Sequence, residues 1–292
     1  MIRLIFGALL GVLTMLSWSE ESVLAAKSHD LVISSGIEGG GYWSAASRLQ
    51  AVAEGMGGSI SNRSSAGSLA NLEALADPHG PVNLAFAQAD ALEYFLYDSP
   101  DARSRINVME YLGQECVFIV TKAGSDLRTD ADLQQDSGFR LGIASHTSGV
   151  AVTFNNMTRR VPELSSVAVV YGETATAIEQ LDSPAAALDA LMVVHRPKEH
   201  SQEVDLVLGD PDSYRFLKIS DNRLTDKSAD GREVYRGMKL ALPGQDDRGP
   251  SVVKTICVKG LLLVNPEKLT TSQQNLMTDI VNSHWGAVFA TQ

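Results

Sequence analysis

The sequence predicts an α/β fold of two lobes with a ligand cleft between them, and three features carry that expectation. First, an apolar run, a small polar loop and an amphipathic stretch follow one another three times early in the chain. Leu31 to Ser35 leads into Gly36-Ile37-Glu38-Gly39-Gly40-Gly41-Tyr42-Trp43. Ser59 to Arg63 leads into Ser64-Ser65-Ala66-Gly67-Ser68-Leu69-Ala70-Asn71, and Val82 to Phe86 into Ala87-Gln88-Ala89-Asp90. Each reads as strand, loop, helix. Second, the alternation continues along the chain, which implies parallel sheet and right-handed crossovers. Third, two long β-like runs, Ile106 to Thr121 and Val252 to Val264, suit strands that cross between lobes. This layout points several helix N-termini, with free backbone N–H groups, toward one crevice suited to a small anion.

The remaining elements follow in order. Leu127 to Leu133 reads as a short helix with Thr129 as a candidate N-cap. Arg140 to Ala144 is a strand that opens into Ser145-His146-Thr147-Ser148-Gly149, followed by a helix from Val150 to about Arg160. Val167 to Tyr171 is a strand, a helix runs from about Glu173 to Leu181, and Leu188 to His195 is a strand ending at Arg196-Pro197. Asp221 to Gly249 is polar and rich in turn residues. A terminal helix starts near Pro266, where proline suits a first turn, and continues toward Phe289. The expected organisation is a leader over 1–26, a first lobe of 27–115 plus 250–292, and a second lobe of 116–249.

The leader expectation rests on Arg3, the apolar run Leu4 to Trp18, and the small residues of Val23-Leu24-Ala25-Ala26. The run is shorter than the roughly 20 residues a spanning helix needs. A secreted, periplasmic protein follows, with an uncleaved anchor as the alternative. The whole chain is 44% hydrophobic and 20% charged, with a formal net charge of -11. An acidic chain with no basic cluster argues against nucleic acid and anionic lipid as partners. It does not argue against an anionic ligand, because a local site can be positive on a negative protein. Two cysteines, Cys116 and Cys257, lie one in each of two β-like runs. In an exported protein such a pair suggests a disulfide, provided the strands are neighbours; two buried thiols are the other reading. No His/Cys cluster has zinc-ligand spacing, so neither a metal nor a cofactor is expected.

The ordered set Gly36 to Trp43, Ala66-Gly67-Ser68 with Asn71, and Ala87-Gln88-Ala89-Asp90 resembles signatures of the TAXI-type solute receptors of TRAP transporters. The similarity continues through Val117 to Lys122, Leu188 to Met192 and Lys254 to Val264. The resemblance implies a type II periplasmic-binding fold. It also implies a small carboxylate ligand, glutamate or a related dicarboxylate among them, and delivery to a TRAP-type membrane permease. The chain departs from the family where many members carry Gly-Ser-Gly-Thr, here Ser145-His146-Thr147-Ser148-Gly149. It departs again at Val194-His195-Arg196-Pro197, where a glycine-rich turn is usual.

The candidate ligand contacts are Gly39, Gly40, Tyr42, Ser65, Ser68, Asn71, Gln88, Thr147, Ser148 and Arg196. Gly39 and Gly40 permit close backbone approach, or simply a tight turn. The pattern G-x-x-G-G-G is not the dinucleotide fingerprint. Ser65, Ser68 and Asn71 donate to a carboxylate or cap a helix. Gln88 sits at a strand end, where open sheets place ligand contacts, while Asp90 stabilises its helix start. Thr147 and Ser148, with the Gly149 N–H, form a matching second-lobe anion site beside His146. Arg196 suits a bidentate carboxylate pair or a charged, exposed turn. Glu115 would accept an amino group if the ligand is an amino acid, or face water. No G-x-S-x-G elbow, H-E-x-x-H motif or distinctive triad spacing is present. The expectation is therefore a monomeric, non-enzymatic receptor that closes on a small organic anion. A periplasmic sensor for a membrane signalling partner and a secreted α/β enzyme are the alternatives.

Overall fold

A computed structural model describes residues 30–135, 138–172, 174–183, 188–197, 201–227, 231, 233–242 and 251–288. The expected leader, 1–26, lies outside the described residues, as does most of the Arg196 to His200 turn. The chain opens with β1 (Leu31–Gly36), α1 (Gly41–Gly55), β2 (Ile60–Ser64), α2 (Ser68–Ala76), β3 (Leu84–Gln88) and α3 (Ala89–Asp98). The long strand β4 (Asn107–Lys122) follows. Then come α4 (Asp130–Gln135), β5 (Arg140–Ile143), α5 (Gly149–Arg160), β6 (Ala168–Tyr171), α6 (Thr174–Asp182) and β7 (Ala190–His195). The remainder comprises α7 (Gln202–Gly209), β8 (Tyr214–Phe216), β9 (Arg236–Leu242), β10 (Ser251–Val264), α8 (Thr271–Asp279) and α9 (Trp285–Val288).

The sheet order is β2-β1-β3-β10-β4-β7-β5-β6, with β8 on β4 and β9 on β10. The same pattern is built twice. In the first half, β1 lies parallel between β2 and β3, and β10 closes antiparallel on β3. In the second half, β5 lies parallel between β6 and β7, and β4 closes antiparallel on β7. β4 and β10 pair with each other and serve both halves. Helices between successive parallel strands provide the crossovers such strands require.

Strands covered on both faces must be apolar on both faces, which is why they read as continuous runs. In β1, Leu31 and Ile33 enter one core with Leu49, Phe86, Leu262 and Met277, while Val32 enters another with Leu72, Leu75, Phe95 and Leu263. In β4, Val117 and Ile119 face a core with Leu141, Phe154 and Ile256, while Cys116 and Phe118 face one with Leu191, Val193 and Val253. The period-2 alternation of each strand thus feeds two layers.

Several local expectations are corrected. Pro266–Lys268 forms a 3-10 turn, and the α-helix begins only at Thr271. Thr270 and Gln273 form a reciprocal capping box there, a stronger start than proline alone. The helix then passes through a π turn at Ile280–His284. The polar stretch after Asp221 contains β9, a strand that survives because it pairs with β10 from Arg236↔Cys257 to Leu242↔Ser251. At α4 the Thr129 hydroxyl donates rather than caps. Asp132 Oδ2 accepts from the Thr129 N–H at 2.7 Å and from its hydroxyl at 3.1 Å.

Cys116 and Cys257 stand directly opposite each other in the β4–β10 pairing and form a disulfide, with Cα atoms 3.9 Å apart. The bond closes a loop of sequence separation 141. Reducing it, or replacing both cysteines by serine, should cost about 2–5 kcal/mol of unfolding free energy. Urea denaturation with and without reductant checks this, and an unchanged midpoint contradicts it.

Candidate ligand cleft

The loops at the strand ends meet where the two halves face each other. In the β1–α1 loop, Gly36 and Gly39 have φ of 112° and 80°, a conformation that glycine adopts without strain. That turn brings Tyr42 into the second position of α1. The Tyr42 ring packs on Phe86 with centroids 5.6 Å apart, and its hydroxyl is buried at the cleft floor. Gly39 itself is exposed and Gly40 half-buried.

The β2–α2 loop is held from within the first half. Asn71 is fully buried; its amide donates to the Phe86 carbonyl at 2.8 Å. Its Oδ1 accepts from Ser34 Oγ at 2.6 Å and from Ser65 Oγ at 2.5 Å. Asn71 and Ser65 therefore shape the loop; at its end Gly67 is half-buried and Ser68 is buried, its Oγ accepting from the Gln88 N–H at 3.4 Å. Gly67 has φ of 134° and opens α2. Across the cleft, Ser148 caps α5 by accepting from the Ala151 N–H at 3.2 Å.

The two helix starts touch. A Cβ on Gly67 would lie 2.9 Å from Ser148 Cα and 3.1 Å from the Thr147 carbonyl oxygen. A Cβ on Gly149 would lie 2.0 Å from Gln88 Oε1 and 3.1 Å from Ser68 Oγ. Glycine at 67 and 149 is what lets α2 and α5, one from each half, meet N-terminus to N-terminus. Their unpaired N–H groups and positive dipole ends then share one region.

Beneath them lies a buried polar floor. Gln88 ends β3 and donates its amide to Glu115 Oε2 at 3.1 Å. Gly260 of β10 pairs with Gln88. A Cβ there would lie 3.0 Å from Glu115 Oε1 and 3.3 Å from the Tyr42 hydroxyl, so this glycine makes room for both. Burial pushes the Glu115 carboxyl up to about 7, against the lowering influence of the nearby Arg196 charge and of Tyr42 and Gln88. Burial, reinforced by Glu115, holds the Tyr42 hydroxyl well above its ordinary value. The Tyr42 hydroxyl lies beside that carboxyl, yet makes no well-formed hydrogen bond among the described residues. His146 stays at the exposed rim, its ring 3.6 Å from that of Tyr171.

Asp90 does more than start its helix. Its Oδ1 accepts from the Ala91 N–H at 2.8 Å. Its Oδ2 accepts from Thr153 Oγ1 and from the Tyr235 hydroxyl, both at 2.7 Å and both in the second half. Asn156 donates to the Asp90 carbonyl at 3.0 Å. Beside this cluster Val152 of α5 packs into a first-half core, and Arg159 lies 4.3 Å over the Tyr94 ring. Asp90 is completely buried, so its satisfied oxygens matter: separating the halves would strip it of two donors.

The expected residues thus sort into groups. Tyr42, Gln88 and Arg196 gather around Glu115, and Ser68, Thr147 and Ser148 meet at the facing helix starts. Ser65 and Asn71 support the loop, and Gly39 and Gly40 form its turn. Glu115, expected either to accept an amino group or to face water, is buried, and Asp90 binds well beyond its own helix start. The signal for Glu115 was a carboxylate directly before the apolar run that starts at Cys116. A hollow of about 580 Å³ lies elsewhere in the second half, lined by Lys122, Phe139, Asp182, Asp189 and Tyr214 among others. There the Tyr214 hydroxyl donates to the Asp182 carboxylate and Lys122 donates to the Asp182 carbonyl. Among the described residues no cluster of three or more His, Cys, Asp or Glu side chains could hold a metal ion, and no helix is long and apolar enough to cross a membrane.

No protein-family model matches the chain, and no curated protein matches it. Among solved structures it is similar in fold to a mutant ArgBP from T. maritima, with 10% identity over 92% of this chain and 95% of that one, at a TM-score of 0.51. It is similar to the periplasmic aliphatic sulphonate binding protein SsuA from Escherichia coli, with 14% identity over 90% of this chain and 73% of that one, also at 0.51. A likeness to the B. pertussis BvgS periplasmic domain covers 93% of this chain at 10% identity and a TM-score of 0.47, and the chain spans 44% of that structure's length. The fold is that of the two-lobed periplasmic binding proteins.

Two outcomes follow from the cleft. Gly67→Ala should wedge the halves apart, because its Cβ meets Ser148 backbone. Small-angle scattering should give a larger radius of gyration with unchanged circular dichroism, and an unchanged radius contradicts the contact. Glu115 is raised in the folded state above its unfolded value, so its contribution to stability is full below about pH 4.5 and is lost as pH rises through about 7. Glu115→Gln should therefore gain stability relative to the parent between pH 5 and 8, on the order of 3 kcal/mol. Melting curves across that range check the sign.

Proposed function

We propose that the protein is an extracytoplasmic solute-binding receptor that captures a small organic anion, an amino acid such as glutamate or a dicarboxylate, by hinge closure. The observation that carries this reading is the meeting of two helix N-termini, α2 and α5, over buried Gln88 and Glu115, with half-buried Tyr42 and Arg196 beside them. Helix starts supply N–H donors and positive potential to a carboxylate. Ser68, Thr147 and Ser148 lie at the same place, and Arg196 adds a fixed positive charge. We take 27–115 plus 250–292 as the first lobe and 116–249 as the second, with a leader over 1–26 that directs export to the periplasm.

In this reading a ligand that touches both lobes adds to the cross-seam contacts and further favours the closed state over the open one. The protein acts as a monomer without cofactor and performs no chemistry on its ligand. The loop motifs that resemble TAXI-type receptors support delivery to a TRAP-type permease. A disulfide between Cys116 and Cys257 fits an oxidising compartment.

Thermal unfolding against amino acids, dicarboxylates, oxo-acids and sulphonates tests the reading. A ligand at about 100 times its dissociation constant should add about 2.7 kcal/mol of stability. A selective rise in melting temperature is expected. A flat result across the panel, repeated after unfolding and refolding to release any carried ligand, would overturn it.

A further inference from the structure

The cleft floor carries more hydrogen-bond acceptors than an anion alone would use. Glu115 is 7% exposed and Gln88 3% exposed. Gln88 gives its amide N–H to Glu115 Oε2, which leaves Gln88 Oε1 buried with no donor among the described residues. A carboxylate accepts and cannot donate, and a buried acceptor without a donor is costly. Gln88 Oε1 is not turned into the first-half core. It points at the seam with the second half, where only the missing side chain of Gly149 leaves it room. Positive charge enters the same floor from the other half through Arg196, which acts on Glu115 and Tyr42 alike.

We propose that this floor recognises an ammonium group, so that the ligand is a small zwitterion rather than a plain dicarboxylate. The nitrogen bonds Glu115 and Gln88 Oε1, with the Tyr42 hydroxyl beside it. The ligand carboxylate meets Arg196 and the facing starts of α2 and α5. Glu115 and Gln88 are then the residues that set specificity. The inference rests on the receptor reading above. A dicarboxylate would bring like charge against Glu115 and leave Gln88 Oε1 without a donor.

The groups that face Glu115 fix the expected pH response. They are Tyr42 from α1, Gln88 from β3, Asp90 from α3 and Arg196 after β7. On β10 the residue opposite is Val258, beside Gly260, and the neighbouring Lys259 turns its amine over Tyr111. With its carboxyl titrating near 7, Glu115 must ionise fully to hold an ammonium group. Zwitterion binding therefore releases protons at pH 7. Below that pH its affinity falls by roughly tenfold per unit. An added carboxylate would do the reverse, taking up protons and binding better as pH falls.

Matched pairs of acids with and without the amino group decide the matter: glutamate and glutarate, aspartate and succinate, alanine and propionate. Calorimetry of the mature protein in buffers of differing ionisation enthalpy reads both affinity and proton exchange. The amino member of at least one pair is expected to bind roughly tenfold to hundredfold tighter, with proton release. Glu115→Gln, checked for folding by circular dichroism, should bring the pair together and abolish the release. The parent protein's proton exchange serves if that variant does not fold. Binding by nitrogen-free acids alone, or as tightly as by their amino partners, overturns the inference and leaves the receptor reading standing. Silence from every pair overturns the inference, and silence from the oxo-acids and sulphonates as well overturns both.

Discussion

Everything in this molecule hangs on the antiparallel pairing of β4 with β10. Among the described residues these two strands alone belong to both halves of the sheet, and each closes one copy of the same parallel three-strand pattern. Their register places Cys116 against Cys257 and the neighbouring Glu115 against Val258. Gly113, with φ of 90°, and Gly260, at a register shift, lie just beyond on the first-half side. A covalent tie therefore sits one residue from the polar floor, with glycine on both strands where the halves would turn. The tie fixes which residues form the floor, while the glycines leave the backbone free to bend.

Closure then depends on polar groups that are satisfied only across the seam. Asp90 has lost its water completely and regains partners from Thr153 and Tyr235. At the helix starts the contact is made by absence, since Gly67 and Gly149 have no Cβ to keep the halves apart. Opening would exchange the two cross-seam hydrogen bonds of Asp90 for water; the glycines permit the approach that makes those bonds. Both act at the ends of α2, α3 and α5, the elements that bear the proposed ligand contacts, so ligand recognition and closure share the same side chains and backbone.

Much of this was legible in the sequence, and the division has physical reasons. Strands β1, β3 and β7, most of β10, and β4 from Glu115 to Thr121 are largely buried and so appear as apolar runs. Gly36 to Gly41 marks a turn whose conformation demands glycine. β9 was hidden because Arg236-Gly237-Met238-Lys239-Leu240-Ala241-Leu242 lies within a polar stretch and is a strand through its pairing with β10. The terminal helix was placed too early because a proline start looks alike in a 3-10 turn and an α-helix. The loops of the cleft could be read locally; its floor could not. Gln88 finds Glu115 across 27 residues and Asp90 finds Tyr235 across 145, and no local pattern encodes either pairing.

The central claim is that buried cross-seam contacts hold the two halves together about the β4–β10 hinge. Spin labels at exposed positions on α2 and beyond α5, Glu73 and Ser166, would report the separation directly. Both native cysteines are engaged in the disulfide, so introduced thiols would take the labels. The account predicts a single short distance in the parent protein and a longer, broader distribution when Asp90 is replaced by alanine. Identical distributions in the two proteins would contradict it.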